Sequence, residues 1–240
     1  METLNDSEVE AFIDGFFGYG NWAAPIWFIG MEEGGGGTIA EAGRRIETWR
    51  LRGKLDLEDL VEYHYAIGIT KHLGPRPALQ PTWSKLVHLL LGMNEETATD
   101  ERVRIFQAKE LGRRGGSSAL IELLPLPSPG IGQWIYGEAT TVPYLSSREL
   151  YRRHVVRHRI SAIRERLVTQ RPPVVVFLGL SYAEYWSQIA SLRLPPVRGE
   201  EFVSSKAGQT TFVVVKHPAA RGVTNALFRN IGKHLIHPVL

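Results

Sequence analysis

Four short apolar runs, separated by stretches with helical periodicity, constrain this chain most. They are Pro25-Ile-Trp-Phe-Ile-Gly30 and residues 118–124, 174–178 and 211–215. A run of this length that is apolar toward both faces reads as a strand buried on both sides of a parallel sheet. Helical spacing fills the intervals: 7–17 (Val9, Phe12, Ile13 and Phe16 on one side), 38–66, 83–93, 101–111, 146–170, 181–190 and 223–236. Strands that alternate with helices predict an α/β fold, a three-layer α/β/α sandwich with a short, mostly parallel central sheet. No repeat or linker interrupts the pattern, so residues 1–240 are expected to form a single domain.

In such sheets ligands bind at the carboxyl ends of the strands. That rule selects four turns: 30–37, 122–129, 179–182 and 217–222. The first reads Gly30-Met-Glu-Glu-Gly-Gly-Gly-Gly-Thr38, with Thr38 and Glu41 spaced as a capping box. Glycines let a backbone approach a ligand, and N–H groups at a helix start attract anions. It is no P-loop, because no lysine precedes Thr38, and a dinucleotide fingerprint needs glycine where Ile39 stands. Glu32 and Glu33 can hold an attacking water or supply a general base. The alternative is that both face solvent beside the following helix dipole.

Composition narrows the chemistry. The 240 residues include no cysteine, which removes disulfides, thiolate metal sites and cysteine nucleophiles. His154 and His158 are four apart on a helix, yet no His-Glu-x-x-His occurs, and neither a metal nor a cofactor is expected. The acidic start carries no signal-peptide pattern, and no apolar run approaches a membrane span, so a cytoplasmic protein without a membrane partner is expected. With 28 Lys and Arg against 25 Asp and Glu the chain is mildly basic, which permits a polyanion partner.

These turns resemble the motifs of the uracil-DNA glycosylase superfamily. Gly30-Met-Glu-Glu-Gly34 stands where that family has Gly-x-Asp-Pro or Gly-x-Asn-Pro after the first strand. Lys216-His-Pro-Ala-Ala-Arg-Gly222 stands for its His-Pro-Ser motif. Leu120-Ile-Glu-Leu-Leu-Pro-Leu-Pro127 is similar to the strand carrying the base-reading Asn, and Gly179-Leu-Ser-Tyr-Ala183 to the turn after the third strand. The matches run in order over about residues 26–236. The resemblance implies a monomer that binds single- or double-stranded DNA, flips a base out and hydrolyses its glycosidic bond. It implies Glu32 and His217 as catalytic residues, for water and leaving group respectively. Gly30, Met31, Glu33 and Glu122 would contact the base; Gly34, Gly35, Ser181 and Arg221 would contact DNA.

Departures stand beside the matches. Glu32 replaces Asp or Asn, Glu33 replaces proline, and Ala219 replaces serine. Glu122 replaces an Asn; ionised, it offers acceptors only and suits a base edge with adjacent donors. Its other reading is as partner of a nearby arginine. Two further functions fit the residues. One is a nucleic-acid-binding protein of the same fold without activity. The other is an esterase-like hydrolase with Ser181 as nucleophile, His217 as base and Glu200 or Glu201 as acid. The helix 146–170 carries Arg148, Arg152, Arg153, Arg157, Arg159, Arg164 and Arg166, which read either as a phosphate track or as a solvated face. Trp134, Tyr136 and Tyr144 read as base-stacking platforms or as loop anchors.

Overall fold

A computed structural model describes residues 3–130, 132–195 and 201–236. In chain order the elements are α1 (Asp6–Gly15), β1 (Gly18–Tyr19), β2 (Ile26–Gly30), α2 (Ile39–Leu51), β3 (Leu57–Glu58), α3 (Leu60–Ala66), α4 (Pro81–Met93) and α5 (Asp100–Lys109). They continue with β4 (Ser118–Glu122), α6 (Tyr136–Ala139), α7 (Arg148–Gln170), β5 (Val174–Leu178), α8 (Ala183–Ala190), β6 (Phe202–Ala207), β7 (Thr210–Val215) and α9 (Asn225–Ile236). Short 3-10 turns cover Pro143–Leu145 and Leu180–Tyr182.

The strands form one sheet in the order β3-β1-β4-β2-β5-β7-β6. Its centre, β4-β2-β5-β7, is entirely parallel and consists of the four runs read from the sequence. Helices cover both faces, so the expected three-layer α/β/α arrangement holds. Trp27, Ile29, Ile121, Val175, Val176, Phe177, Val213 and Val215 are fully buried, as a strand covered on both faces requires. No helix among the described residues is long and apolar enough to cross a membrane.

Three strands, β1, β3 and β6, flank this centre and were not expected. β1 and β3 are two residues each, too short to show any periodicity. β3 also divides the continuous helix read over 38–66. Gly53 and Lys54, at φ 96° and 55°, end α2 in the left-handed region, and Leu57–Glu58 then pair with β1. β6 is antiparallel to β7 across a two-residue turn opened by Gly208 at φ 59°. Its sequence, FVSSKA, carries too few apolar residues to read as a strand, which suits an exposed edge.

Side-chain caps start the helices where the chain turns. Asn5, Thr38, Thr99 and Ser147 each accept an N–H from three residues on. Helix α4 is the most buried, with eight of its thirteen residues inside, and it packs along α9. Backbones meet closely there: a methyl group on Gly232 would lie 2.1 Å from the Leu89 carbonyl, and one on Gly92 would lie 2.4 Å from that of Arg229.

Candidate functional site

The carboxyl ends of β2 and β4 lie side by side, with Gly30 paired to Glu122. The two glutamates that follow β2, Glu32 and Glu33, diverge. Glu33 turns inward: its Oε2 accepts from the Tyr19 hydroxyl at 2.7 Å and from Arg45 at 3.1 Å. His64 Nδ1 donates to the Leu60 carbonyl, which turns its Nε2 toward Glu33 Oε1 at 3.4 Å. Burial pushes the Glu33 carboxyl up, but Arg45, His64 and Tyr19 together outweigh it and hold the group at about 2. Glu33 is therefore a committed anion inside a polar network, and neither proposed local role, water activation or a solvent-facing charge, describes its position.

Glu32 points the other way. Arg148, the first residue of α7, grips its Oε1 and also donates to the Gly130 carbonyl at 3.1 Å. The second carboxylate oxygen, Oε2, is buried and has no protein partner. Burial outweighs Arg148, so the Glu32 pKa lies above the ordinary value. A carboxylate with one anchored and one open oxygen suits positioning a water and accepting its proton.

Glu122, the last residue of β4, presents a buried Oε2 without a partner, and that atom lies 2.9 Å from where a Cβ on Gly30 would stand. Glycine at position 30 is what makes room for it. Burial, with Glu33 and Glu32 nearby, drives its pKa well above the usual value, and Arg159 does not offset them. The shift favours the protonated acid over the acceptor-only anion. As a neutral acid it carries one O–H donor and one acceptor, the same inventory that an Asn amide face offers. The arginine-partner reading also changes. Arg159 is close, but it donates to backbone carbonyls: Glu122 at 2.9 Å, Leu123 at 3.2 Å and Ile13 at 3.2 Å. Its guanidinium lies 3.6 Å above the Phe17 ring.

The glycine turn is closed by its own chain. Gly35 and Gly36 have φ of 113° and 66°, a conformation that admits few other residues. The Glu41 carboxylate accepts from the N–H groups of Gly36 at 2.9 Å and Gly37 at 3.2 Å, and also from Arg45. Thr38 caps α2 as expected, while Glu41 reaches past it. An internal carboxylate thus stands where an anionic ligand was considered. Gly34 is exposed with open space beside it, Gly35 lies over Arg45, and Met31 is buried.

His217 follows β7 in a tight turn closed by the Ala220 N–H on its carbonyl at 2.8 Å. Although exposed, its imidazole is held below the ordinary histidine value by desolvation. The Ala219 N–H donates to Nδ1 at 3.2 Å, which leaves the proton of the neutral ring on Nε2. The turns after β5 and β7 touch, with the His217 Cβ 4.0 Å from where a Gly179 Cβ would stand. β2 and β7 are separated only by β5, about 10 Å at the usual strand spacing. Ser181 is exposed on the 3-10 turn and makes no hydrogen bond to His217 among the described residues; Arg221 is exposed in the last turn. A triad base needs Nδ1 as a donor to a carboxylate. Here Nδ1 is an acceptor, Glu201 is exposed, and Glu200 lies outside the described residues.

The aromatic residues after β4 serve as anchors. Trp134 donates to the Leu145 carbonyl, Tyr136 is buried and donates to Pro127, and Tyr144 stacks on His154 at 3.9 Å. His158 faces Asp14 at 3.4 Å. Among the described residues no group of three or more His, Asp or Glu is arranged to hold a metal ion.

Sequence reading placed none of Tyr19, Arg45, His64, Arg148 and Arg159 at this site, and it took Arg148 and Arg159 only as part of the phosphate track or solvated face of helix 146–170. Two of them carry a legible signal: Arg45 lies in the stripe Ala42, Ile46, Trp49, and Arg159 lies between Val155 and Ile163. A cation at an apolar position of a helix face marks a buried polar contact. Tyr19, His64 and Arg148 reach the site only through tertiary contacts. Compared with known proteins, the chain matches no protein-family model and no curated protein.

Proposed function

We propose that this chain hydrolyses the N-glycosidic bond of a damaged or deaminated base flipped out of DNA, as the uracil-DNA glycosylases it resembles do. The observation that carries this reading is the unpartnered Glu122 carboxyl under Gly30, beside the half-anchored Glu32 at one sheet edge. Neutral Glu122 pairs its O–H and C=O with an adjacent acceptor and donor on the base, the pattern of a lactam edge. A base with two adjacent donors, which an ionised Glu would suit, is disfavoured.

Glu32 holds a water with its open oxygen. As the water oxygen bonds to the anomeric carbon, the C–N bond breaks, its electron pair leaves with the base, and the water's proton passes to Glu32. His217 donates its Nε2–H toward the negative charge developing on the departing base. A neutral imidazole performs this from below its usual pKa, so the donor persists at neutral pH.

A second reading, DNA binding without turnover, is favoured by the grip of Arg148 on Glu32. Base release separates the two. Single- and double-stranded oligonucleotides carrying uracil, hypoxanthine or xanthine are incubated with the protein. Glu32→Gln and His217→Ala are each expected to slow release about a hundredfold. Glu122→Gln is expected to retain activity, because its amide keeps a donor and an acceptor. Binding without release of any base refutes the hydrolase; release that ignores both catalytic substitutions refutes the site.

A further inference from the structure

The seven arginines of α7 do not form one surface. Arg148 holds Glu32, Arg153 pairs with Glu149 at 2.6 Å, and Arg159 is fully buried. Arg166 sits 3.4 Å from Asp56 and lies over the rings of Phe17 and Trp22. Arg152, Arg157 and Arg164 remain exposed, with no carboxylate within ion-pair distance among the described residues.

Two of these three converge. Arg157 and Arg164 line a cleft of about 520 Å³ between α7 and α8, together with Ile160, Ser161, Gln188 and Ser191. Positions 157, 161 and 164 share one helix face, with the arginines roughly 10 Å apart along the axis. Apart from Ile160, every lining side chain carries a hydrogen-bond donor, and none is acidic. The C-terminal carbonyls of α8 do not oppose an anion strongly, because Ser187 and Gln188 already accept from the N–H groups of Leu192 and Ser191. Such a lining suits an oxyanion and disfavours a cation or an apolar group.

We propose that this cleft binds phosphate oxyanions of a nucleic-acid backbone, as a second contact on the flank of the protein. Arg148 marks the end of α7 at the sheet edge. Along the helix, Arg157 lies ~14 Å from it and Arg164 ~24 Å. At 3.4 Å per nucleotide along a duplex strand, that reach corresponds to roughly seven base pairs. The cleft therefore engages backbone well away from any base at the edge, and its action does not depend on base release.

The test uses the full chain and a lesion-free duplex of about 20 base pairs, titrated over a range of salt. Arg157→Gln/Arg164→Gln is expected to make the slope of log affinity against log salt less steep by about 1.8, and to weaken binding on the order of tenfold at 0.1 M salt. The control Arg152→Gln/Arg171→Gln removes the same charge from exposed positions outside the cleft and should leave the slope unchanged. Equal losses in both double variants, or none in either, overturn the proposal. A parallel titration with inorganic phosphate separates the sources of the oxyanion. Phosphate binding that requires Arg157 and Arg164, while duplex binding ignores them, overturns the assignment to nucleic acid. All four positions are exposed, so the folded state survives substitution, and a melting curve checks this.

Discussion

Arg45→Met is expected to destabilise the protein by about 3–5 kcal/mol at neutral pH, the cost of leaving a buried ion without its partner. Arg45 is 3% exposed and is the guanidinium that Glu33 and Glu41 share. Without it, Glu33 keeps only Tyr19 and His64, and its charge stays in low-dielectric surroundings. The effect has a pH signature. With a folded pKa near 2, against about 4.3 in an unfolded chain, Glu33 binds its proton more readily once unfolded. Its contribution, roughly 3 kcal/mol, is complete above about pH 5 and is lost as pH falls toward 2. Glu32 and Glu122, both raised, act in the opposite sense, so the Glu33 share is the difference between the native chain and Glu33→Gln. In Arg45→Met that acid-dependent loss should shrink, because the pull that lowered the Glu33 pKa is gone. Chemical denaturation between pH 3 and 7 measures both. A variant as stable as the native chain at pH 7, with an unchanged acid slope, refutes the assignment.

The second large effect is expected from Arg159→Met, a loss of about 3 kcal/mol and a fall in melting temperature of roughly 10 °C. Two terms oppose each other. Burial disfavours the guanidinium and pulls its pKa down to about 9, so an apolar replacement relieves a real cost. Against this, methionine deprives the carbonyls of Ile13, Glu122 and Leu123 of their charged donor and removes the contact with Phe17. Unsatisfied buried acceptors cost about 1–3 kcal/mol each, so the lost contacts outweigh the relief. Thermal melting decides the sign: a melting temperature at or above the native value would mean that the carbonyls find other partners. Because one of these carbonyls belongs to Glu122, the same substitution should loosen the end of β4.

What the sequence disclosed follows from the range of each interaction. The four central strands were legible because each carries a compact apolar run that faces both ways, and the helix start at Thr38 was legible because capping is local. β1 and β3 were hidden by their length, and β6 by its polar composition. At the site, the carboxyl-edge rule located Glu32, Glu122 and His217. It could not reveal that Glu33 turns inward, because its partners Tyr19, Arg45 and His64 lie 14, 12 and 31 residues away and meet it only in the folded chain. Nor could it give the protonation of Glu122, which depends on burial and on two neighbouring carboxylates. On α7, Leu150 is 44% exposed although apolar, and Tyr151 takes the buried position.

The close seat of α9 on α4 bears on how the molecule is made. Helix α4 is complete by residue 93, and the segment that covers it begins at Asn225. A ribosome adding about 5–20 residues per second needs on the order of ten seconds to bridge that interval. Throughout it, the face of α4 that seats α9 lacks its native cover, although α5 packs beside the helix much earlier in the chain. The glycine contact that fixes the two helices at van der Waals distance is thus among the last native contacts available during synthesis. Premature termination before Asn225 would release a chain in which that one face of α4 stays bare.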